Sequence, residues 1–134
     1  MPDIIDIRIY YEDTDCGGVV YYGKYLGFLE RARTDFLEKR GIKILDLMNE
    51  GIYFVVVSVD IRYHKPARYA DTINIYTEIE EITFTSITFA HKLYLNGTPL
   101  STAKVRLATV VARPNETELK PRKMSKDLIE ALKT

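Results

Sequence analysis

The feature that most constrains this chain is one long amphipathic segment, placed early and followed by little except alternating apolar runs. Leu26, Leu29, Ala32, Arg33, Phe36 and Leu37 recur at three- and four-residue steps, and Tyr22, Tyr25 and Phe28 widen the apolar stripe. Lys39-Arg40 and then Gly41 supply a cationic last turn and a stop. The spacing predicts a helix from Tyr22 to Arg40, largely wrapped by other structure. A strand precedes it, with Ile5, Ile7 and Ile9 alternating with Asp6, Arg8 and Tyr10. Four strands follow. The first runs from Val55 to Tyr63, with Val57, Val59, Ile61 and Tyr63 facing one way, and Pro66 closes it. The next two are Ile73 to Ile79 and Ile87 to Leu95, the latter with His91 on the same face as Ile87 and Phe89. The Asn96-Gly97 hairpin turn leads to a last strand, with Val105, Leu107 and Val111 on one face and an end near Arg113-Pro114. Ile44 to Glu50 reads as a short helical turn, and Ser125 caps a C-terminal helix from Lys126 to Lys133. One helix must cover one face of the antiparallel sheet these strands form. That is an α+β layout in a single domain, residues 1–134.

Composition narrows the function. Lys plus Arg equals Asp plus Glu at 19 each, so the basic excess of a nucleic-acid binder is missing. Cys16 is the single cysteine, which excludes an internal disulfide and leaves a thiolate zinc site short of ligands. No metal or cofactor is expected. The opening Met1-Pro2-Asp3-Ile4-Ile5-Asp6 lacks the regions of a signal peptide, and no apolar run is long enough to span a bilayer. The expectation is a cytoplasmic protein without stable membrane insertion. Lys120, Arg122, Lys123 and Lys126 cluster near the C-terminus, readable either as a solvated tail or as a contact for the nucleotide phosphates of a carrier.

The segment that could carry chemistry is Tyr11-Glu12-Asp13-Thr14-Asp15-Cys16-Gly17-Gly18-Val19-Val20-Tyr21-Tyr22. Two acids and a double glycine stand just before the long helix. The first amides of a helix have no internal partner, and with the macrodipole they favour developing negative charge. Glycines let a ligand approach the backbone. A carboxylate beside such amides suits a base or nucleophile next to an oxyanion hole. The plainer reading is that Asp13 or Asp15 caps the helix or closes an Asx-turn. A calcium loop fails, because Gly17 and Lys24 occupy the fifth and twelfth positions. Cys16 as nucleophile would want a histidine, and His64 and His91 lie far along the chain. His91 reads as a core or interface residue and Glu30 as a solvated or paired surface acid.

The run Tyr11 to Tyr25 resembles the signature of the 4-hydroxybenzoyl-CoA thioesterase family, and most of all its YbgC-type branch. Phe28-Leu29-Glu30-Arg31-Ala32-Arg33-Thr34 and His64-Lys65-Pro66-Ala67-Arg68-Tyr69-Ala70-Asp71 support the likeness. The resemblance implies a hotdog fold, a curved antiparallel sheet wrapped around one long helix, in a homodimer or homotetramer with active sites at the dimer interface. It implies hydrolysis of an acyl-CoA, with an acyl carrier protein as a second candidate carrier. It places the catalytic aspartate on Asp15, the polarising amide on Tyr22 and a further active-site tyrosine on Tyr11. Gly17, Gly18 and Val19 then border the substrate. The branch commonly has histidine where this chain has Tyr22, and a phenol titrating near about 10 is a poor base at neutral pH. The amide is unaffected by that exchange. A non-catalytic acyl-CoA or acyl-carrier binding module on the same fold is the alternative, and a hotdog dehydratase is disfavoured because the motif lacks histidine.

Overall fold

The computed structural model describes residues 2–112, 115 and 117–134. In chain order the elements are β1 (Asp3–Arg8), a 3-10 turn (Tyr11–Asp13), α1 (Lys24–Lys39), α2 (Ile44–Asn49), β2 (Ile52–Tyr63), β3 (Thr72–Ile82), β4 (Ser86–Leu95), β5 (Thr98–Val111), β6 (Lys120–Pro121) and α3 (Lys126–Leu132). The strands form one antiparallel sheet in the order β1-β3-β4-β5-β2, with β6 added to the end of β5. The Asn96-Gly97 turn has φ of 50° and 81°, so both central residues are left-handed, as a tight hairpin matching strand twist requires. Ser125 Oγ accepts the Leu128 amide at 3.1 Å and starts α3 where the sequence places it.

The helix lies across the concave face of the sheet. Phe28, Leu29, Ala32, Phe36 and Leu37 are buried against Ile73, Ile75, Ile87, Phe89 and Val105. Phe36 meets Phe89 edge-on at 5.4 Å between ring centres. Each such side chain contributes about 1.5–3 kcal/mol by leaving water, and Phe89→Ala would cost about 3–5 kcal/mol through the cavity it opens. Arg40 ends the helix over the Phe36 ring, 3.4 Å from its centre, and reaches Asp3 of β1 at 2.6 Å. That pair fixes the first strand to the end of the helix. This curved sheet closed around one helix is the hotdog fold, α+β as expected.

Two expectations need correction, and one feature has no counterpart in the sequence pattern. Helix α1 begins at Lys24 rather than Tyr22, because Tyr22 and Gly23 form a tight entering turn in which the Tyr25 amide bonds to the Tyr22 carbonyl at 3.3 Å. The wrapping is incomplete, since Tyr22 and Leu26, one helical turn apart, are both exposed. Among the described residues strand β2 is an edge, bonded only to β5, with a bulge between Val56 and Ser58. Val56, Val57 and Val59 along it are exposed. The expected end of the last strand near Arg113-Pro114 lies outside the described residues; β5 is described to Val111.

Candidate active site

The chain from Asp13 to Tyr21 folds back on itself. Thr14 and Val20 form a bridge, Asp15 N–H donates to the Val19 carbonyl at 3.0 Å, and Tyr21 N–H donates to the Asp13 carbonyl at 2.9 Å. A second strand-like contact holds this hairpin to the 64–71 segment, where Val20 N–H donates to Ala67 and Tyr69 N–H donates to Gly18. The buried Tyr25 hydroxyl accepts the Ala67 amide at 3.2 Å, so the first turn of α1 anchors the same segment. Burial pushes the Tyr25 phenol above its usual value, which keeps it a neutral hydroxyl.

The two acids have different environments. Asp13 is buried; one oxygen accepts the Tyr10 amide at 2.9 Å and the other lies 3.9 Å from Lys24 Nζ. It closes the 3-10 turn. Asp15 is exposed. Its Oδ1 accepts the Gly17 amide at 3.0 Å and its carbonyl accepts the Gly18 amide at 3.0 Å. Gly18 sits at φ +75°, a conformation that costs any other residue about 1 kcal/mol. The Asx-turn and a chemical role are compatible, because the turn uses one carboxylate oxygen and the second bonds to nothing among the described residues.

The expected oxyanion donors also have a definite place. Lys24 N–H is already taken by the Tyr21 carbonyl at 2.9 Å. Among the described residues the amides of Tyr22 and Gly23 make no hydrogen bond within the chain. They are open donors at the mouth of α1. The Tyr22 ring is 67% exposed and packs on Tyr21 at 4.7 Å. Tyr11 is exposed and meets Tyr69 edge-on at 5.8 Å. Neither phenol hydrogen-bonds Asp15 among the described residues. Gly17, Gly18 and Val19 are on the turn itself, with Val19 bridged to Arg68. Cys16 is exposed, His64 is exposed, and His91 is buried inside the sheet, away from any surface thiol.

Sequence reading missed a polar cluster within the core. Arg33, on the apolar stripe of α1, is only 7% exposed, and its Nη1 lies 3.5 Å from His91 Nε2. A guanidinium only donates, so Nε2 accepts and the ring proton sits on Nδ1, 3.0 Å from Thr77 Oγ1. Burial first, and then the charge of Arg33, lower the His91 pKa to about 3. Burial lowers Arg33 to about 10, partly offset by Glu30. Beside this cluster is a hollow of about 110 Å³ between Glu30, Arg33 and Thr34 of α1 and Phe54 and Val56 of β2. Glu30 itself is exposed and accepts the Thr34 hydroxyl at 3.2 Å.

A single helix wrapped by an antiparallel sheet in this strand order defines a hotdog domain. The family model of the thioesterase superfamily matches residues 17–102, more than half of the chain. The chain belongs to the thioesterase superfamily. It is 38% identical over 128 residues to the acyl-CoA thioester hydrolase YbgC of Escherichia coli O6:H1, covering 95% of this chain and 92% of that protein. Among solved structures, a probable thioesterase from Bartonella henselae is 31% identical with a TM-score of 0.80, covering 92% of this chain and 98% of that one. A 4-hydroxybenzoyl-CoA thioesterase with its substrate bound shares the fold at a TM-score of 0.87 and 22% identity, covering 98% of each chain.

Proposed function

We propose that this chain, as one domain, hydrolyses acyl-CoA thioesters, with Asp15 as the reacting carboxylate and the Tyr22 and Gly23 amides as the oxyanion hole. The observation that carries the reading is the pairing of an exposed carboxylate, held on a glycine turn, with two unbonded amides at the start of the central helix. The thioester carbonyl oxygen rests on those amides. As the carbon becomes tetrahedral, the oxygen gains charge and the donors bind it more tightly, which lowers the barrier by about 3 kcal/mol per donor. Asp15 either adds to the carbonyl, expelling the CoA thiolate and leaving an anhydride that water opens, or takes a proton from water as that water adds, after which the tetrahedral adduct collapses, the C–S bond breaks and the CoA sulfur leaves with that proton. Gly17 and Gly18 present no side chain, so the substrate passes close to the backbone beside Val19. The Tyr11 ring flanks the entrance. The acyl group runs along α1 into the hollow beside Phe54 and Val56. Acyl-CoA is the carrier assigned here, and an acyl carrier protein would present the same thioester.

The enzyme acts as a homodimer or a dimer of dimers, built by pairing the free edge of β2 with that of a second copy. This covers Val57 and Val59 and extends the sheet. No described helix is long and apolar enough to cross a membrane, and a lone exposed thiol suits the reducing cytoplasm proposed as its location.

The test is Asp15→Asn against Asp13→Asn, measured by free-thiol release from short-chain, long-chain and aromatic acyl-CoAs. The Asp15 variant is expected to lose roughly 100- to 10,000-fold in kcat with binding retained. Near wild-type turnover would remove Asp15 from the mechanism. A wild-type protein that binds acyl-CoA without releasing thiol would make the domain a binding module. Label found in Asp15 after one turnover in ¹⁸O water would establish the anhydride route, since it enters only when water opens the anhydride at the Asp15 carbon.

A further inference from the structure

Arg33 is a cation buried on the face of α1 that otherwise carries apolar side chains, and its charge has no full partner. Its Nη1 makes one long contact, 3.5 Å to the neutral His91 ring, and among the described residues it joins no ion pair. Nε and Nη2 bond to nothing among the described residues, and neither is sealed from solvent. Glu30 is the acid that acts on Arg33, yet it is exposed and accepts the Thr34 hydroxyl at 3.2 Å. Taking a guanidinium out of water costs more than one contact with a neutral ring returns, so a further acceptor is expected beside it. Arg33 lines the hollow of about 110 Å³, whose other lining is mainly apolar, from Leu37, Ile44, Phe54 and Val56.

We propose that Arg33 is a specificity-determining residue, its free donors binding an oxygen acceptor at the far end of a medium-length acyl chain. The inference rests on the thioesterase reading and names the acyl class for that same site. Tyr22 and Leu26 are exposed, and at four-residue steps the same ridge continues through Glu30 and Thr34, which line the hollow. An acyl chain leaving the Tyr22 and Gly23 amides therefore has an apolar track along α1 that ends beside Arg33. Arg33 lies ten residues beyond Gly23, about 15 Å along the axis. Helical side chains lean back towards the N-terminus, which brings the guanidinium to roughly 10 Å from the amides. An extended carbon chain advances about 1.25 Å per bond, so about eight bonds separate the thioester carbon from the acceptor. A benzoyl group with a para oxygen spans roughly 6 Å and falls short. The hollow takes the last few atoms of the longer chain, with its oxygen on Arg33 and its carbons against Phe54 and Val56.

The test compares thiol release from hexanoyl-CoA, decanoyl-CoA, ω-hydroxydecanoyl-CoA and the CoA monothioester of sebacic acid. The last two match decanoyl in length and carry a hydroxyl or a carboxylate at the terminal carbon. Wild-type kcat/KM is expected to be about tenfold higher for the two oxygenated chains than for decanoyl-CoA, the scale of one hydrogen bond to a charged group. Arg33→Met keeps a long side chain without donors and should reverse that ranking. A readout that needs no variant is competition: sebacate and ω-hydroxydecanoate should inhibit hexanoyl-CoA turnover at lower concentration than decanoate. If Arg33→Met fails to fold, the wild-type ranking and the competition decide. Decanoyl-CoA level with or above both oxygenated chains in the wild type, or a preference that survives Arg33→Met, would overturn the proposal. Turnover of hexanoyl-CoA in that case leaves the thioesterase reading standing, whereas absence of thiol release from all four substrates would refute both.

Discussion

His91 gives this fold an acid-sensitive core, and the effect can be worked out from its contacts. The ring is 1% exposed, and its two nitrogens face Thr77 and the guanidinium of Arg33. Glu30 is the nearest charge that acts on Arg33, and it sits at the exposed rim. Protonating His91 would place a second cation beside Arg33 without water. In the unfolded chain the ring titrates near 6.5, and in the native protein at about 3. Above 6.5 neither state binds the proton, and the stability stands at its plateau. As pH falls from 6.5 towards 3, the unfolded chain takes up a proton that the native state refuses, so stability drops by about 1.4 kcal/mol per pH unit. Across the whole window this single ring removes on the order of 5 kcal/mol. His91→Gln retains an acceptor for Arg33 and a donor for Thr77 but does not titrate. The assay is urea unfolding by far-ultraviolet circular dichroism at fixed protein concentration, from pH 7 to pH 4. Wild-type stability should fall more steeply than that of the variant below 6.5, with the two curves parallel above it. Parallel curves down to pH 4 would refute the assignment of a neutral buried ring.

Asp13→Ala removes the buried carboxylate that accepts the half-buried Tyr10 amide and should cost about 1 kcal/mol, seen as a lowered thermal midpoint. Val57→Lys places a charge in the middle of the exposed β2 edge. Its solution mass by light scattering should fall to that of one chain, and thiol release should fall with it; a monomer with full activity would refute the shared site. Val56→Phe fills the hollow of about 110 Å³ beside Arg33 and should shift preference towards shorter acyl groups, read as a change in relative kcat/KM across a chain-length series.

What the sequence made legible follows the strength of local signals. Period-two runs, the Asn96-Gly97 turn, Gly41 and Ser125 place the elements because each is decided by its neighbours in the chain. The beginning of α1 was misplaced because tyrosines count as apolar in a periodic pattern, whereas Tyr22 keeps its ring in water and Gly23 takes the cap. The edge position of β2 is invisible to alternation, which records the side a residue faces and not which strands flank it. Its bulge at Val56 to Ser58 is equally silent. Arg33 scored as part of the helix stripe, and its burial depends on His91, 58 residues further on. The different environments of Asp13 and Asp15 rest on the turn at Tyr10 and on the glycine turn after Asp15, which alternation does not record.

The exposure of the site and the exposure of the β2 edge are one problem with one solution. An oxyanion hole and a carboxylate act strongly only where water is excluded, because solvent screens the charge that develops. In the single chain Tyr11, Asp15 and Tyr22 all face solvent, and so do the valines along the unpaired strand. In the proposed dimer, edge pairing across β2 would supply the missing wall to both. On that proposal the Asp15 carboxylate would work in a cleft that neither copy builds alone. This is why the Val57→Lys test reads mass and turnover together: if the argument holds, a chain that falls to the monomer mass loses turnover with it.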